Sequence, residues 1–321
     1  MKSEEHKTLF SIIIPTYNRA NMIGKAIESV LCQSYTNWEL IIISDGSTDN
    51  TEEILNNYTV SDPRIKYFRQ ENMGRSSARN LGINNCVGDY VCFLDDDDFY
   101  LEDFLLEFSI EIENKKFNRT IFMCGQNELI DGNIVEFKID EKKLNSSPLK
   151  YLIKYSNNIQ PFCFPKVILD NVKFDERFEL GEDFHLLIRI LLLNDFYFIS
   201  KRLCVYVNHS EMTMERELKE GLFLKLPFNR LDMLEDIYNE YQDLLIEKNV
   251  IKDFFVKYNQ IAYFYASSSM KNYKNRTSFN YLRKLNFYWN IYISFYYFMS
   301  IVIRIPLFSL KKFFVNEFKY G

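Results

Sequence analysis

The stretch Tyr90-Val91-Cys92-Phe93-Leu94-Asp95-Asp96-Asp97-Asp98 decides the fold, because five apolar residues run without a break into four aspartates. The apolar half lacks the polar alternation of a half-exposed strand, so it reads as a strand covered on both faces. The acidic half then lies at that strand's carboxyl end. Two carboxylates about 4 Å apart repel by roughly 4 kcal/mol at an effective dielectric near 20, so four of them abutting a buried strand need compensation. A divalent cation is one remedy: hard cations such as Mg2+ take oxygen ligands, often with substrate phosphates completing the shell. A solvated acidic turn is the plain alternative, and the surrounding sequence decides between them.

Working outward, Phe10 to Ile14, Leu40 to Ile43 and Ile65 to Phe68 read as further strands. Between them, Ile23, Ala26, Ile27, Val30 and Leu31 make one stripe of an amphipathic helix. Ser47, Thr48 and Asp49 offer capping oxygens before a helix over Glu52 to Tyr58, and Ser76 or Ser77 could start the helix that holds Ala78, Leu81 and Ile83. Strand and helix in alternation predict an α/β fold with parallel pairing and right-handed crossovers. Ligands of such sheets bind at the carboxyl ends of strands, where Pro15 to Asn18, Asp45 and Asp95 to Asp98 all fall.

The middle of the chain is less regular. Ile121 to Cys124 reads as a strand, Leu129 to Phe137 as a hairpin turning at Asp131-Gly132-Asn133, and Ser147 to Tyr155 as a helix. Gly181-Glu182-Asp183 opens a helix with the stripe Phe184, Leu187, Ile188 and Leu191, so two acids stand in its first turn. Short strands over Phe196 to Ile199 and Leu203 to Val207 precede His209, and the catalytic domain is expected to end near residue 212.

From there the pattern is helical, with Leu231, Leu234, Ile237, Tyr238 and Tyr241 on one face, and then increasingly aromatic and basic. From Ile261 to Gly321 nine Lys or Arg face the single acid Glu317, a net +8 against −13 for the rest of the chain. Basic charge gathered in an aromatic tail suits a membrane surface and argues against nucleic acid as the partner. Phe287 to Phe308 is long enough to span a hydrocarbon layer, but Arg304 and Pro306 interrupt it and aromatic residues dominate. In-plane association is therefore expected over a docked helix or a span. The six cysteines form no CxxC pair, which argues against a zinc site and fits reduced thiols in the cytosol. Met1 to Thr8 lack a secretory signal's apolar stretch, so the catalytic part is expected in the cytoplasm, at the membrane's inner face.

Four pieces in order, Ser11-Ile12-Ile13-Ile14-Pro15-Thr16-Tyr17-Asn18-Arg19, Ser44-Asp45-Gly46-Ser47-Thr48-Asp49, Gly74-Arg75-Ser76-Ser77-Ala78-Arg79-Asn80 and Phe93-Leu94-Asp95-Asp96-Asp97-Asp98, resemble the inverting family 2 glycosyltransferases of GT-A fold. Gly181-Glu182-Asp183 and Asn208-His209-Ser210 resemble that family's later motifs more loosely. The resemblance implies a mixed, mainly parallel Rossmann-like sheet over 1–212 and a helical extension over 213–321. It implies transfer of a sugar from a nucleoside diphosphate, with UDP favoured, to a hydroxyl of a saccharide or lipid-linked acceptor for a surface polysaccharide. By the same resemblance Asp45 meets the base, and Pro15, Thr16 and Tyr17 flank the nucleoside. Arg79 is suited to a phosphate or ribose edge by its fixed fork of donors. Asp95 and Asp97 form the DxD pair holding Mn2+ or Mg2+, with Asp97 as the direct ligand, Asp96 toward the ribose and His209 as a further metal contact. Asp98 is expected to orient a loop or cap the helix near Leu101 to Phe108. Asp183 is the candidate base, kept ionised by the unpaired N–H groups of its helix start, while Glu182 reads as an ordinary first-turn acid and His185 has no assigned role. The rival readings are a non-catalytic sugar-nucleotide-binding protein and a nucleotidyltransferase; the latter lacks its glycine-rich phosphate loop after the first strand.

Overall fold

Alternate residues of the central strands face opposite ways, and both sets are apolar here. Ile12 and Ile14, Leu40 and Ile42, and Cys92 and Leu94 enter one buried cluster; Ile13, Ile41 and Ile43, and Val91 and Phe93 enter the other. A sheet with two apolar faces must be covered twice, and helices do so on each side. The computed structural model describes residues 7–115, 119–155, 158–208, 230–258 and 260–261.

The first half alternates strand and helix: β1 (Phe10–Thr16), α1 (Ile23–Leu31), β2 (Trp38–Asp45), α2 (Thr51–Ser61), β3 (Ile65–Gln70), α3 (Arg75–Asn85) and β4 (Tyr90–Phe93). The pairs β1–β2, β1–β4 and β2–β3 are all parallel. Next come β5 (Phe99–Tyr100), α4 (Phe104–Lys115), β6 (Ile121–Ile130), β7 (Asn133–Glu136), α5 (Glu141–Ser146), α6 (Pro148–Tyr155), β8 (Phe162–Pro165), α7 (Lys166–Leu169), α8 (Glu182–Leu191), β9 (Phe196–Val207) and α9 (Arg230–Glu247). The nine-stranded sheet runs β3-β2-β1-β4-β8-β6-β9-β5, with β7 paired to β6. Because β8 lies antiparallel between β4 and β6, the sheet is mixed, flanked by helices in the Rossmann-like manner of GT-A proteins.

Most expected elements form, and the differences have physical causes. The stripe of α1 is buried at Ile23, Ala26, Ile27 and Val30. Neither Ser76 nor Ser77 caps α3. The helix starts at Arg75 after Gly74, and the Ser76 hydroxyl donates instead to the Phe178 carbonyl. The two strands expected after α8 are one, β9, which stays paired with β6 through register shifts around Gly125. The β6–β7 hairpin turns at Asp131 and Gly132, both at positive φ, as a two-residue hairpin turn requires. Pro15 and Thr16, expected in a loop, are still within β1 and buried; only Tyr17 lies past the strand.

The described residues up to Ile251 form one compact unit, and those from Lys252 belong to a second. The first unit thus continues past the expected boundary at 212 and takes in α9. Leu231, Met233, Leu234 and Ile237 of α9 are buried, and the helical geometry breaks at Tyr241. No helix among the described residues is long and apolar enough to cross a membrane; the stretch 287–308 lies outside them.

Candidate active site

Strand β4 ends at Phe93, and the acidic tetrad turns immediately beyond it, with the Asp98 N–H donating to the Asp95 carbonyl at 3.2 Å. Carboxylate oxygens of Asp95, Asp97 and Asp98 lie within 4.8 Å of one another. Three hard oxygen donors so close fit a divalent cation such as Mg2+ or Mn2+, and the crowding itself argues for one. Burial, then the neighbouring Asp95 and Asp97 charges, push Asp98 well above the usual carboxylate range. Burial and Asp97 push Asp96 up to about 7, against the opposing pull of Thr16 and Arg19. Asp98 does not cap the following helix: it is buried and accepts the Val207 N–H at 2.7 Å, tying the tetrad to β9.

Arg79 joins this turn to the start of α8. Its side chain is 1% exposed; one terminal nitrogen donates to Asp95 at 2.7 Å, the other to Asp183 at 2.9 Å and Glu182 at 3.1 Å. Expected at a phosphate or ribose, its guanidinium is engaged by three carboxylates. Burial raises the Asp95 pKa, but Arg79 and then Arg75 pull it below the ordinary range. Asp183 responds the other way. Burial dominates, and despite Arg79 its carboxyl rises to about 7, with Glu182 and Asp95 adding to the rise. The helix start therefore does not keep Asp183 strongly acidic, because desolvation outweighs a terminal dipole effect of about 1 kcal/mol. A carboxylate titrating near neutrality is well matched to taking a proton. Glu182 is no ordinary first-turn acid, since it is buried on Arg79.

Local sequence explains how α8 reaches this place. One face of α3 is polar and buried, at Ser76, Arg79 and Asn80. Asn80 exchanges two hydrogen bonds with the Phe174 backbone, at 3.0 Å each, so α3 carries the segment leading into α8. The helix sits close on β1, where a Cβ at Gly82 would come within 2.4 Å of Ile13. Gly181 starts α8 at φ +84, a left-handed conformation that favours glycine, and a Cβ there would meet Met233 of α9 at 3.1 Å. Further back, burial and then Arg189 lower His185 to about 4, and its Nε2 lies 3.2 Å from Asp236 of α9. Arg177 also holds Asp236, at 2.9 Å, along with Asp175. The Arg177 guanidinium thus bonds both carboxylates of the Asp175, His185 and Asp236 group.

At the other end of the site, Asp45 closes β2 and accepts from the Gln70 side chain at 2.7 Å and from the Met73 and Gly74 N–H groups at 2.9 Å each. It is buried and fastens the β3–α3 loop. Tyr17 stands at the end of β1 with 45% of its surface exposed. Three residues near the tetrad were not singled out from sequence. Arg19 lies 3.8 Å from Asp96 and 3.9 Å from Asp97; Arg75 lies 3.9 Å from Glu182; and Tyr206 is raised by burial and then by Asp98 and Asp95. Arg19 and Arg75 lie within the quoted motifs and Tyr206 just before one, which is the one signal that could have flagged them. His209 lies outside the described residues.

Acids at a strand end and at a facing helix start, bridged by one arginine, suit a transferase working on a diphosphate-linked donor, as GT-A glycosyltransferases do. The comparisons with known proteins agree. The family description "Glycosyl transferase family 2" matches residues 11–167. An uncharacterized glycosyltransferase of Rickettsia prowazekii is 32% identical over 262 residues, 78% of this chain and 77% of its own length. The chain belongs to the family 2 glycosyltransferases. An uncharacterized glycosyltransferase of Rickettsia felis is 45% identical over 137 residues, but that match spans 43% of this chain and only 21% of the relative. Among solved structures, Staphylococcus aureus TarS 1-349 in complex with UDP-GlcNAc superposes with a TM-score of 0.56 at 17% identity, over 85% of this chain and 88% of that one, a likeness of fold.

Proposed function

We propose that this glycosyltransferase inverts the anomeric centre as it moves a sugar from a nucleoside diphosphate to a hydroxyl of a saccharide or lipid-linked acceptor in surface-polysaccharide synthesis. The observation that carries the reading is Arg79, which bonds Asp95 and Asp183 at once. One guanidinium thereby keeps the carboxylates suited to the leaving group and to the nucleophile within reach of one substrate.

Asp97 and Asp95, with Asp98 close by, would hold Mn2+ or Mg2+, and His209 joins them by family resemblance. The bound ion supplies Lewis-acid stabilisation of the departing diphosphate. Asp183 accepts the acceptor's hydroxyl proton as the oxygen attacks the anomeric carbon from the face opposite the diphosphate, and the configuration inverts. Arg79 holds Asp183 in place and ionised enough to act. Asp45 accepts a base N–H, Tyr17 covers the nucleoside beside Pro15 and Thr16, and Asp96 faces the ribose. UDP is the preferred nucleotide, because an aspartate suits the imide N–H of uracil. The basic, aromatic sequence of the C-terminal region supports work at the inner face of a membrane, and deleting 280–321 should release the protein from the membrane fraction.

The test pairs binding with transfer. A panel of sugar nucleotides with Mn2+ should yield one that raises the unfolding temperature, as selective binding stabilises the native state. Asp183→Asn should keep that protection and lose transfer, and proton NMR of the wild-type product should show the inverted anomer. Retention of configuration, or full transfer by Asp183→Asn, refutes the mechanism.

A further inference from the structure

His185 carries a buried ring nitrogen with nothing to bond. The residue stands in the first turn of α8, 1% exposed, with its ring centroid 4.9 Å from that of Phe178. Its Nε2 lies 3.2 Å from Asp236 Oδ2, while Nδ1 has no hydrogen-bond partner among the described residues. Burial, then the Arg189 charge, lower its pKa to about 4, so the ring is neutral near pH 7. A carboxylate only accepts, so the single ring proton is on Nε2 and Nδ1 is left as a bare acceptor. A phenylalanine would fill the same place without that orphaned atom, whose burial costs stability. What histidine adds over phenylalanine is one bond, the one to Asp236.

That bond is placed to act on Asp183. Residues two apart on a helix do not share a face, so Asp183 and His185 leave the same turn on opposite sides. In front, Arg79 of α3 holds Asp183 at 2.9 Å and Glu182 at 3.1 Å. Behind, Asp236 of α9 divides its two oxygens. Oδ2 meets His185, and Oδ1 accepts from Arg177 at 2.9 Å, in the segment that leads into α8. The turn opens on Gly181, which gives the backbone no side chain of its own to stiffen it. Arg79 by itself sets the distance of the Asp183 carboxylate but not the rotation of the turn about the helix axis. A contact on the opposite side sets both.

We propose that His185 and Asp236 are positioning residues for the base: their bond fixes the first turn of α8 from behind and so holds Asp183 against Arg79, aimed at the acceptor hydroxyl. This role depends on Asp183 acting as the base, as proposed above. A base must stand within hydrogen-bond reach of the proton it takes, and a displacement of about 1 Å can cost about a hundredfold in rate. The donor side is built from other elements, Asp45 at the end of β2 and the tetrad after β4. Loss of the bond should therefore be felt in turnover and not in nucleotide binding.

The experiment compares the full chain as wild type, His185→Phe, His185→Gln, Asp236→Ala and Asp183→Asn. Transfer is followed with the sugar nucleotide selected from the panel above, UDP affinity in Mn2+ by calorimetry, and folding by thermal unfolding. His185→Phe should lower kcat about tenfold to a hundredfold, with donor KM and UDP affinity within about twofold of wild type and no fall in the unfolding midpoint. A histidine that served only packing would give the reverse, a lower midpoint with kcat kept. His185→Gln, whose amide nitrogen can stand where Nε2 does, should restore most of kcat; a loss equal to that of His185→Phe would overturn the role. Asp236→Ala breaks the same bond from a side chain 27% exposed, and kcat should fall on the same scale with UDP affinity kept, a test that stands even if His185→Phe does not fold. Wild-type kcat in Asp236→Ala or in His185→Phe, with Asp183→Asn inactive, overturns the positioning role and leaves the base in place. Full transfer by Asp183→Asn overturns both.

Discussion

Replacing Arg79 with methionine removes the cation hydrogen-bonded to Asp95, Asp183 and Glu182, at 2.7, 2.9 and 3.1 Å, while keeping the side chain's apolar stem and leaving Arg75 3.9 Å from Glu182. Removing one partner of a buried ion pair costs about 3–5 kcal/mol, because the charge left behind has neither water nor a counter-ion. With Glu182 and Asp183 both buried, Arg79→Met should fall at the upper end of that range. For a unit of this size about 1 kcal/mol lowers the midpoint by about 2–4 °C, so a fall of the order of 10–20 °C is expected. The cost must depend on pH. Without the guanidinium, Asp183 rises further above its value of about 7, and a raised carboxyl in the folded state means that stability is lost as pH increases through that value. The deficit should therefore be larger at pH 8 than at pH 6, where Asp183 is protonated at little cost. The assay is unfolding followed by circular dichroism at both pH values for wild type, Arg79→Met, Glu182→Gln/Asp183→Asn and the triple variant. Neutralising the two acids should recover part of the loss, a coupling of about 1–3 kcal/mol. An Arg79→Met midpoint within about 1 °C of wild type at pH 8, or no recovery in the triple variant, would refute the account of the arginine as a charge hub.

Other consequences are open to measurement. With Asp183 at about 7, the transfer rate should fall as pH drops through neutrality and the base takes a proton, so a flat profile from pH 5.5 to 8 would remove Asp183 from that role. Asp45→Ala releases two hydrogen bonds to the β3–α3 loop and one to Gln70 at the end of β3; it should cost about 1–3 kcal/mol and weaken UDP binding, and isothermal titration calorimetry alongside urea unfolding would separate the two. Gly181→Ala forces a side chain into a left-handed conformation against Met233. A loss of about 1–2 kcal/mol is expected, with kcat reduced more than KM because the helix start carries Asp183; unchanged kinetics and stability would contradict this packing.

The strand-and-helix order of the first hundred residues was legible because apolar periodicity and strand-end motifs record it locally. Asp45, Asp95 and Asp97 could be placed at strand ends for the same reason. What could not be read was the pairing of distant charges. Arg79 looks like any helical arginine with serines before it, and only the tertiary fold brings it to Asp183, 104 positions away. Burial also reverses expectations drawn from local chemistry. A first-turn aspartate should stay acidic, yet desolvation takes Asp183 to about 7. Strand β8 was missed since four residues, Phe162–Pro165, give too short a run to separate from loop, and α9's apolar stripe does not announce which surface it covers.

That stripe limits how this enzyme could be recombined with its relatives. The back of the helix that presents Asp183 is lined by Met233 and Asp236, downstream of the 11–167 stretch that defines the family. Splicing another family member's C-terminal region in near residue 212 would leave α8 leaning on foreign side chains, and donor preference could not be inherited as a separable cassette. Junctions placed after Ile251, where the first compact unit closes, would keep α8 and its support as one transplantable block.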